Sequence, residues 1–205
     1  MKKLLIALLS AGLLLTGCSQ GISSSVAYYQ FKQPIVAMSR HSDDTLAQLR
    51  INTVELRGAL NNRGIAMVLD DHQVRSANYH LWSEAPDTML TAIAHQQLYV
   101  QMPQWLVVKG LPVITDADQQ RYYELEYELY HFNGDQQGQA HIGGLWRLFY
   151  TSPELGRRLK AINYFNEQSP LVDDDFEGLV ATLEQTWSKI NTQVSNEIKL
   201  LALPE

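Results

Sequence analysis

The chain has 205 residues, of which 16 are basic and 22 acidic, for a net charge of −6 at pH 7. An acidic surface repels nucleic acid and anionic head groups, so we expect no nucleic-acid partner. A single cysteine excludes an internal disulfide, and no stretch after it reaches the 18 apolar residues of a membrane span. Stability must therefore come from packing, and the length suits one domain.

The N-terminus has the layout of a secretory signal. Lys2 and Lys3 precede an apolar run at residues 4–15, and Thr16 and Gly17 supply the small residues that admit a peptidase. As a helix this run spans only about 18 Å, against roughly 30 Å for the hydrocarbon core of a bilayer. We therefore predict that residues 1–17 are a signal peptide that is removed. Removal also makes the mature chain more acidic by two charges.

The sequence Leu15-Thr16-Gly17-Cys18 resembles the lipobox of bacterial lipoproteins. The resemblance implies cleavage before Cys18, diacylglycerol on its sulfur and palmitate on its new amino group. Three acyl chains, at about 0.8 kcal/mol per buried methylene, anchor a protein permanently. Ser19 stands where lipoproteins retained in the inner membrane typically carry Asp, which implies sorting to the outer membrane. The alternative is an ordinary signal peptide that happens to contain a cysteine.

Residues 18–25 form the predicted tether, and residues 26–200 the predicted domain. The first part of the domain has strand-like composition or alternation at residues 26–31, 49–56, 65–69 and 73–79. The sequence Asp70-Asp71-His72 is typical of a hairpin tip. Its aspartates could also be an acid–base pair or calcium ligands, although turn carboxylates usually face water.

A helix is predicted from Pro86 up to Pro103, because apolar residues recur there at intervals of three and four. Short strand 105–108 follows, then strand 121–133, a hairpin turn, strand 139–150 and strand 158–166. Asp173, Asp174 and Asp175 place negative charge at the start of a last helix that runs to about residue 199. These elements predict a single α/β domain with a mixed, largely antiparallel sheet flanked by two main helices.

Of the predicted strands, 121–133 shows the clearest alternation between apolar or aromatic residues and charged residues. Tyr123, Leu125, Tyr127 and Leu129 are predicted to face the core, and Glu124, Glu126 and Glu128 to form a solvated face. The tyrosines of this strand and of the first strand are interpreted mainly as sheet packing. The alternative is a protein interface, because aromatic residues combine a large contact area with a polar tip.

No motif of known chemistry is present: the sequence has no nucleophile elbow, P-loop or dinucleotide-binding loop. Gly143-Gly144 lies inside a predicted strand, where glycine more often marks a bulge or a close backbone approach than a phosphate site. His131 and His141 could meet across the hairpin and offer two metal ligands without an evident third. We therefore predict no cofactor and no metal.

Three segments together resemble the PqiC-like ABC-type transport auxiliary lipoproteins: Tyr28-Tyr29, residues 51–84, and the ending from Asp174 to Ile198. The resemblance implies a lipoprotein on the periplasmic face of the outer membrane. It also implies docking onto a periplasmic MCE-domain protein of a lipid-transport system and, in some members, a homo-oligomeric ring. The family supplies no catalytic motif. Tyr28, Tyr29 and Trp82 are the residues expected to bind the partner.

Three functions remain to be distinguished. The first is a non-enzymatic docking subunit that supports lipid transport and envelope integrity. The second is an accessory lipoprotein of outer-membrane assembly or secretion that acts as a protein-binding module. The third is a periplasmic hydrolase, whose structural sign would be a carboxylate or serine of displaced pKa in a pocket.

Overall fold

The computed structural model describes residues 25–32, 47–70, 72–110 and 121–201. The predicted signal peptide, Cys18 and most of the predicted tether lie outside these ranges, as does Asp71. The described chain forms nine strands and two main helices: β1 (Ala27–Tyr29), β2 (Ala47–Ile51), β3 (Glu55–Leu56), β4 (Gly64–Asp70), β5 (Gln73–Trp82), α1 (Pro86–Gln101), β6 (Trp105–Lys109), β7 (Tyr122–Asp135), β8 (Gln139–Ser152), β9 (Gly156–Pro170) and α2 (Phe176–Leu201).

All nine strands belong to one mixed sheet that is organised around β7. One edge of β7 pairs with β8 in antiparallel register along its length, and β9 follows on the other side of β8. The opposite edge of β7 pairs in succession with β2, β3 and β4, all parallel. Strand β6 extends the sheet beside β2, while β5 and then β1 extend it beside β4. The longest pairings are antiparallel, so the predicted fold class is confirmed.

The predicted strand 49–56 is divided into β2 and β3. Between them the backbone N–H of Val54 donates to the Thr91 hydroxyl on α1, 2.9 Å away, instead of joining the ladder. Strand β5 runs to Trp82 rather than residue 79, because β1 pairs with its last residues. Strand β9 is longer than predicted because it pairs with the whole of β8. Local composition could not predict these strand pairings.

Helices α1 and α2 pack on one face of the sheet and enclose the core. Tyr127 of β7 meets Trp187 of α2 edge-on, with 5.0 Å between ring centroids. Its hydroxyl donates to Oδ1 of Asn191 at 2.8 Å. Apolar residues spaced along one side of α2 are buried: Leu179, Val180, Leu183, Trp187, Ile190, Val194 and Ile198. Phe176, at the start of the helix, is half-buried. Within the described segments, neither helix is both long enough and apolar enough to cross a bilayer.

Candidate functional site

Tyr28 and Tyr29, both predicted to bind a partner, lie on β1 and point in opposite directions. Tyr28 is 61% exposed, with the Arg63 guanidinium 5.7 Å from its ring centroid. Tyr29 is half-buried, and its hydroxyl hydrogen-bonds Nδ1 of His80 at 2.9 Å. Strand alternation therefore separates the two tyrosines. Tyr28 faces solvent, and Tyr29 faces a pocket.

Trp82 does not lie on the surface, which corrects the expectation that it contacts a partner. Its side chain is 1% exposed. Its ring stacks on Phe132 with 5.4 Å between centroids and meets Phe31 edge-on at 5.8 Å. Its backbone N–H donates to the carbonyl of Arg63 at 2.6 Å. Trp82 is therefore a core residue that fixes the end of β5.

A pocket of about 540 Å³ lies between the N-terminus of α2 and strands β1, β4 and β5. We call it the aromatic pocket. It gathers side chains from five distant parts of the sequence, and of these residues only Tyr29 was predicted to belong to a functional site. Three kinds of side chain line it: aromatic rings (Tyr29, His80, Phe176), apolar groups (Met67, Leu171, Leu179) and carboxylates (Asp135, Asp174, Asp175, Glu177).

The aromatic side of the pocket is a packed trio. The Phe176 ring stacks on the His80 ring, with centroids 3.8 Å apart and planes 8° from parallel. The Tyr29 ring lies 6.5 Å from Phe176 and is tilted by 40°. Since the Tyr29 hydroxyl also holds His80, each of the three rings is fixed by another. Phe176 is the first residue of α2, so the helix start completes this wall.

The apolar side of the pocket depends on Gly134 of β7. A Cβ at this position would lie 2.8 Å from both the Met67 sulfur and a methyl carbon of Leu179. Carbon atoms do not approach that closely without displacement, so any larger residue would push these two side chains apart. Glycine therefore allows Met67 and Leu179 to pack against the end of β7.

The polar side of the pocket is negatively charged. Oδ1 of Asp135 accepts the backbone N–H groups of Gln137 and Gln139, each at 2.9 Å, and Oδ1 of Asp175 accepts the Gly178 N–H at 2.7 Å. These bonds fix both carboxylates in place. Burial raises the pKa of Tyr29, and the Asp175 and Glu177 carboxylates raise it further. Among the described residues that line this pocket, none is a lysine or arginine.

The model of the family described as "ABC-type transport auxiliary lipoprotein component" matches residues 29–195. The match begins at Tyr29 of the aromatic pocket and extends into α2, so it covers nearly all of the described domain. The chain belongs to this family.

Relatives and solved structures agree with membership of the ABC-type transport auxiliary lipoprotein family. The chain is 27% identical to the "Intermembrane transport lipoprotein PqiC" of Escherichia coli (strain K12) over 203 residues, which cover 98% of this chain and 100% of that protein. The protein of the same name from Shigella flexneri matches equally. A crystal structure of an uncharacterized protein superposes with a TM-score of 0.69 at 22% identity, covering 85% of this chain and 99% of the other. The crystal structure of a Xanthomonas campestris protein superposes with a TM-score of 0.62 at 14% identity, covering 84% of this chain and 98% of the other. These two structures support the fold.

In this auxiliary lipoprotein the sheet face opposite the helices carries an ion-pair network. Glu128 is 5% exposed and pairs with Arg57 and with Arg147, the latter at 2.7 Å. Arg157 of β9 bridges Glu124 and Glu126 at 2.8 and 2.6 Å. The prediction of a purely solvated glutamate face is therefore wrong. The arginines that cover it come from elsewhere in the chain.

Strand β9 presents an exposed apolar row on the same sheet face. Its side chains Leu159, Ile162 and Tyr164 are all exposed, Tyr164 by 74%. We call these three residues the β9 ridge. Within the described part of the chain β9 pairs only with β8, so no strand occupies its outer edge. The ridge therefore lies beside a strand edge that is unpaired within the described residues.

His131 and His141 do meet across the hairpin, but their rings stack. The centroids are 4.0 Å apart, and Nε2 of His141 lies 2.5 Å from Oδ1 of Asn166. Gly143 gives the His131 ring room, because a Cβ there would lie 3.0 Å from its Cδ2. Lone pairs lie in the ring planes, so two nearly parallel rings do not converge on one metal ion. No cluster of three potential ligand side chains exists among the residues that the structure describes.

Proposed function

We propose that this chain is a non-enzymatic, lipid-anchored subunit of an intermembrane lipid-transport system. The observation that carries the proposal is the match over 98% of the chain to an intermembrane transport lipoprotein. The family description, an auxiliary component of ABC-type transport, supports an accessory role rather than a catalytic one. Lipid as the cargo and support of envelope integrity are part of the proposal.

The proposed anchor is the acylated Cys18, in the periplasmic leaflet of the outer membrane. Tyr29 follows Cys18 by 11 residues, which reach roughly 40 Å even when fully extended. The aromatic pocket and the start of β1 therefore stay close to the membrane. Strand β8 leaves this end of the sheet, and its 14 residues extend about 45 Å to the opposite end. The domain is thus long enough to present surfaces well away from its anchor.

The proposed partner is a periplasmic MCE-domain protein, contacted through Tyr28. Of the three aromatic residues considered for this role, Tyr28 has the ring most available to another protein. Exposed tyrosines beside an arginine are typical of the anchoring residues of protein interfaces. Tyr29 is proposed to contribute from the pocket, whereas Trp82 supports β1 from the core.

The proposed self-association uses the β9 ridge. An exposed apolar row beside a free strand edge is a surface that proteins normally cover. Strand β9 has 15 residues and extends about 50 Å, long enough for an interface of the usual size. A closed ring forms if the ridge of each subunit contacts a different surface of the next subunit, and a ring multiplies weak contacts with one partner.

Site-specific photo-crosslinking in intact cells tests the two surfaces separately. A photoreactive residue in place of Tyr28 should capture an MCE-domain protein, and one in place of Tyr164 should capture a second copy of the chain. Val100, exposed on α1, is the matched control position and should capture neither. Recovery of an assembly or secretion protein at position 28, with no MCE protein, would refute the transport role.

An unlabelled chain in cells fed radioactive palmitate would refute the anchor, with Cys18→Ala as the reference for zero labelling.

A further inference from the structure

The aromatic pocket has the charge of a cation site. In the part of the chain that the structure describes, four carboxylates line it and no lysine or arginine does. Asp175 is engaged by the first turn of α2 and Asp135 by the β7–β8 turn. Asp174 and Glu177 add two further negative charges at the same rim. The positive end of the α2 dipole is already offset by Asp175, so a net negative potential remains.

The aromatic trio supplies the second element of cation recognition. Ammonium groups bind over the faces of aromatic rings, because the ring quadrupole places negative charge there. Tyr29 and Phe176 both line the pocket, with their rings tilted by 40° and their centroids 6.5 Å apart. Rings and carboxylates together favour an ammonium group over a metal ion, which would require converging oxygen or nitrogen ligands.

The remaining side of the pocket is apolar and requires an apolar part of the ligand. Met67, Leu171 and Leu179 line this side. The volume of about 540 Å³ falls within the range of small-molecule pockets, 300–1,000 Å³. A small inorganic cation would leave this apolar side facing water. An ammonium group joined to an alkyl chain satisfies both sides at once.

We propose that the aromatic pocket binds an amphiphile with an ammonium head group. Tyr29, Phe176, Asp174 and Glu177 receive the head group, and Met67 and Leu179 receive the first carbons of the chain. The source that we favour is a phospholipid with an ethanolamine head group. That choice of source rests on the proposed transport function, whereas the ammonium site itself does not.

Methyl NMR of the full chain in maltoside micelles tests the proposal, with Met67 as the reporter inside the pocket. Hexylammonium should shift the Met67 methyl resonance in a saturable way, while Met89 in the core stays unchanged. Hexyl sulfate, which has the same chain and the opposite charge, should not shift it. Dihexanoyl phosphatidylethanolamine and dihexanoyl phosphatidylglycerol repeat the comparison with matched lipids. Response to the ethanolamine lipid supports the lipid source, and response to hexylammonium alone supports the site with a free amine as its ligand.

Two variants separate the ring from the charges. Phe176→Leu keeps an apolar side chain and should weaken hexylammonium binding by about 2- to 30-fold, the range expected for a cation–π contact. The double variant Asp174→Asn/Glu177→Gln should weaken it by about tenfold at low salt and reduce its salt dependence. Glu154→Gln, a carboxylate at the β8–β9 turn, is the control and should change nothing.

Equal binding of hexyl sulfate, an unresponsive Met67 methyl, or undiminished affinity in both variants would overturn the proposal. So would binding of a lysine-containing peptide without any binding of hexylammonium, because the pocket would then be a protein contact. None of these titrations depends on crosslinking at Tyr28. Loss of the MCE partner and loss of ammonium binding are therefore distinguishable results.

Discussion

The indole N–H of Trp187 donates a hydrogen bond to the backbone carbonyl of Leu90, 3.2 Å away, and so ties α2 to α1 inside the core. Trp187→Phe removes this bond and part of the ring that packs on Tyr127. We expect a loss of about 2 kcal/mol in the free energy of unfolding. Urea denaturation measures it, with Tyr164→Phe as an exposed control that should change stability by less than about 0.5 kcal/mol. An unchanged midpoint for Trp187→Phe would show that the two helices are held together by other contacts.

Replacement of Trp82 by alanine should reduce the stability of the chain, whereas replacement of Tyr28 by alanine should reduce partner binding. Trp82→Ala leaves a cavity beside Phe31 and Phe132, and large aromatic truncations in a core cost about 3–5 kcal/mol. Tyr28→Ala should leave stability nearly unchanged, because its ring is exposed, and should reduce capture of the partner. Thermal denaturation and affinity capture of both variants check this. A Trp82→Ala chain of normal stability that fails to capture the partner would restore Trp82 as a binding residue.

Glu128 predicts a specific loss of stability in acid. Burial raises the pKa of its carboxyl, but hydrogen bonds and charge from Arg147 and Arg57 outweigh this, so the pKa lies below its ordinary value of 4.5. A lowered pKa in the folded state contributes stability that is present above pH 4.5 and is lost as the pH falls through the folded pKa. Glu128→Gln should therefore be less stable than the parent at pH 7, by about 1–3 kcal/mol.

The difference between Glu128→Gln and the parent should shrink steadily below pH 4.5. Denaturant midpoints measured from pH 7 to pH 3 give this difference directly. Glu154→Gln is the comparison variant: the hydrogen bond from Arg121 also lowers the pKa of Glu154, but this pair is exposed, so the difference between this variant and the parent should be much smaller at every pH. A gap between Glu128→Gln and the parent that stays constant down to pH 3 would contradict the assignment of the lowered pKa to Glu128.

The two adjacent glycines of β8 should differ in their tolerance of alanine. A Cβ on Gly144 would lie 2.1 Å from the backbone oxygen of Glu128 and 2.9 Å from the Cα of Leu129. A Cβ on Gly143 would meet the side chains of Asn166 and His131, which can move. We expect Gly144→Ala to cost about 3 kcal/mol and Gly143→Ala about 1 kcal/mol, measured by urea denaturation. The reverse order would show that β7 can move away from β8 between Leu129 and His131, where the register of their pairing shifts.

The sequence predicts the element types well because their signals are local. Alternation in β7 and helical spacing in α2 identify both elements and their buried sides, and Gly144 does mark a close backbone approach. The parallel partners of β7 could not be predicted, because strands β2 to β4 lie far upstream and pairing leaves no local pattern. The burial of Glu128 likewise depends on Arg57 and Arg147, which the alternation of β7 does not reveal.

The aromatic pocket was harder still to predict. Its walls come from β1, β4, β5, the end of β7 and the start of α2. Two signals were present: Gly134, which lies at the end of a long strand, and the aspartates that precede Phe176. Both have ordinary interpretations, as a turn glycine and as helix-capping charge. Only the folded chain places them around one volume.

The stacked pair His131 and His141 predicts an NMR titration with a defined response to substitution. Burial lowers the pKa of His131, and the charge of His141 lowers it further. Replacement of His141 removes the second cause alone, so His141→Gln should raise the pKa of His131 only part of the way toward its ordinary value of 6.5. His95 is an internal control. Burial also lowers its pKa, but it lies on α1, and its titration should not change.

The sign of this shift also fixes its effect on stability. With the folded pKa of His131 below 6.5, the unfolded chain takes up the proton first as the pH falls. Stability contributed by the neutral ring is therefore complete above pH 6.5 and declines as the pH falls through the folded pKa. His131→Asn should reduce the pH dependence of the denaturation midpoint between pH 6.5 and the folded pKa. A His131 pKa at or above 6.5 in the parent would contradict the buried, stacked arrangement of the two rings in solution.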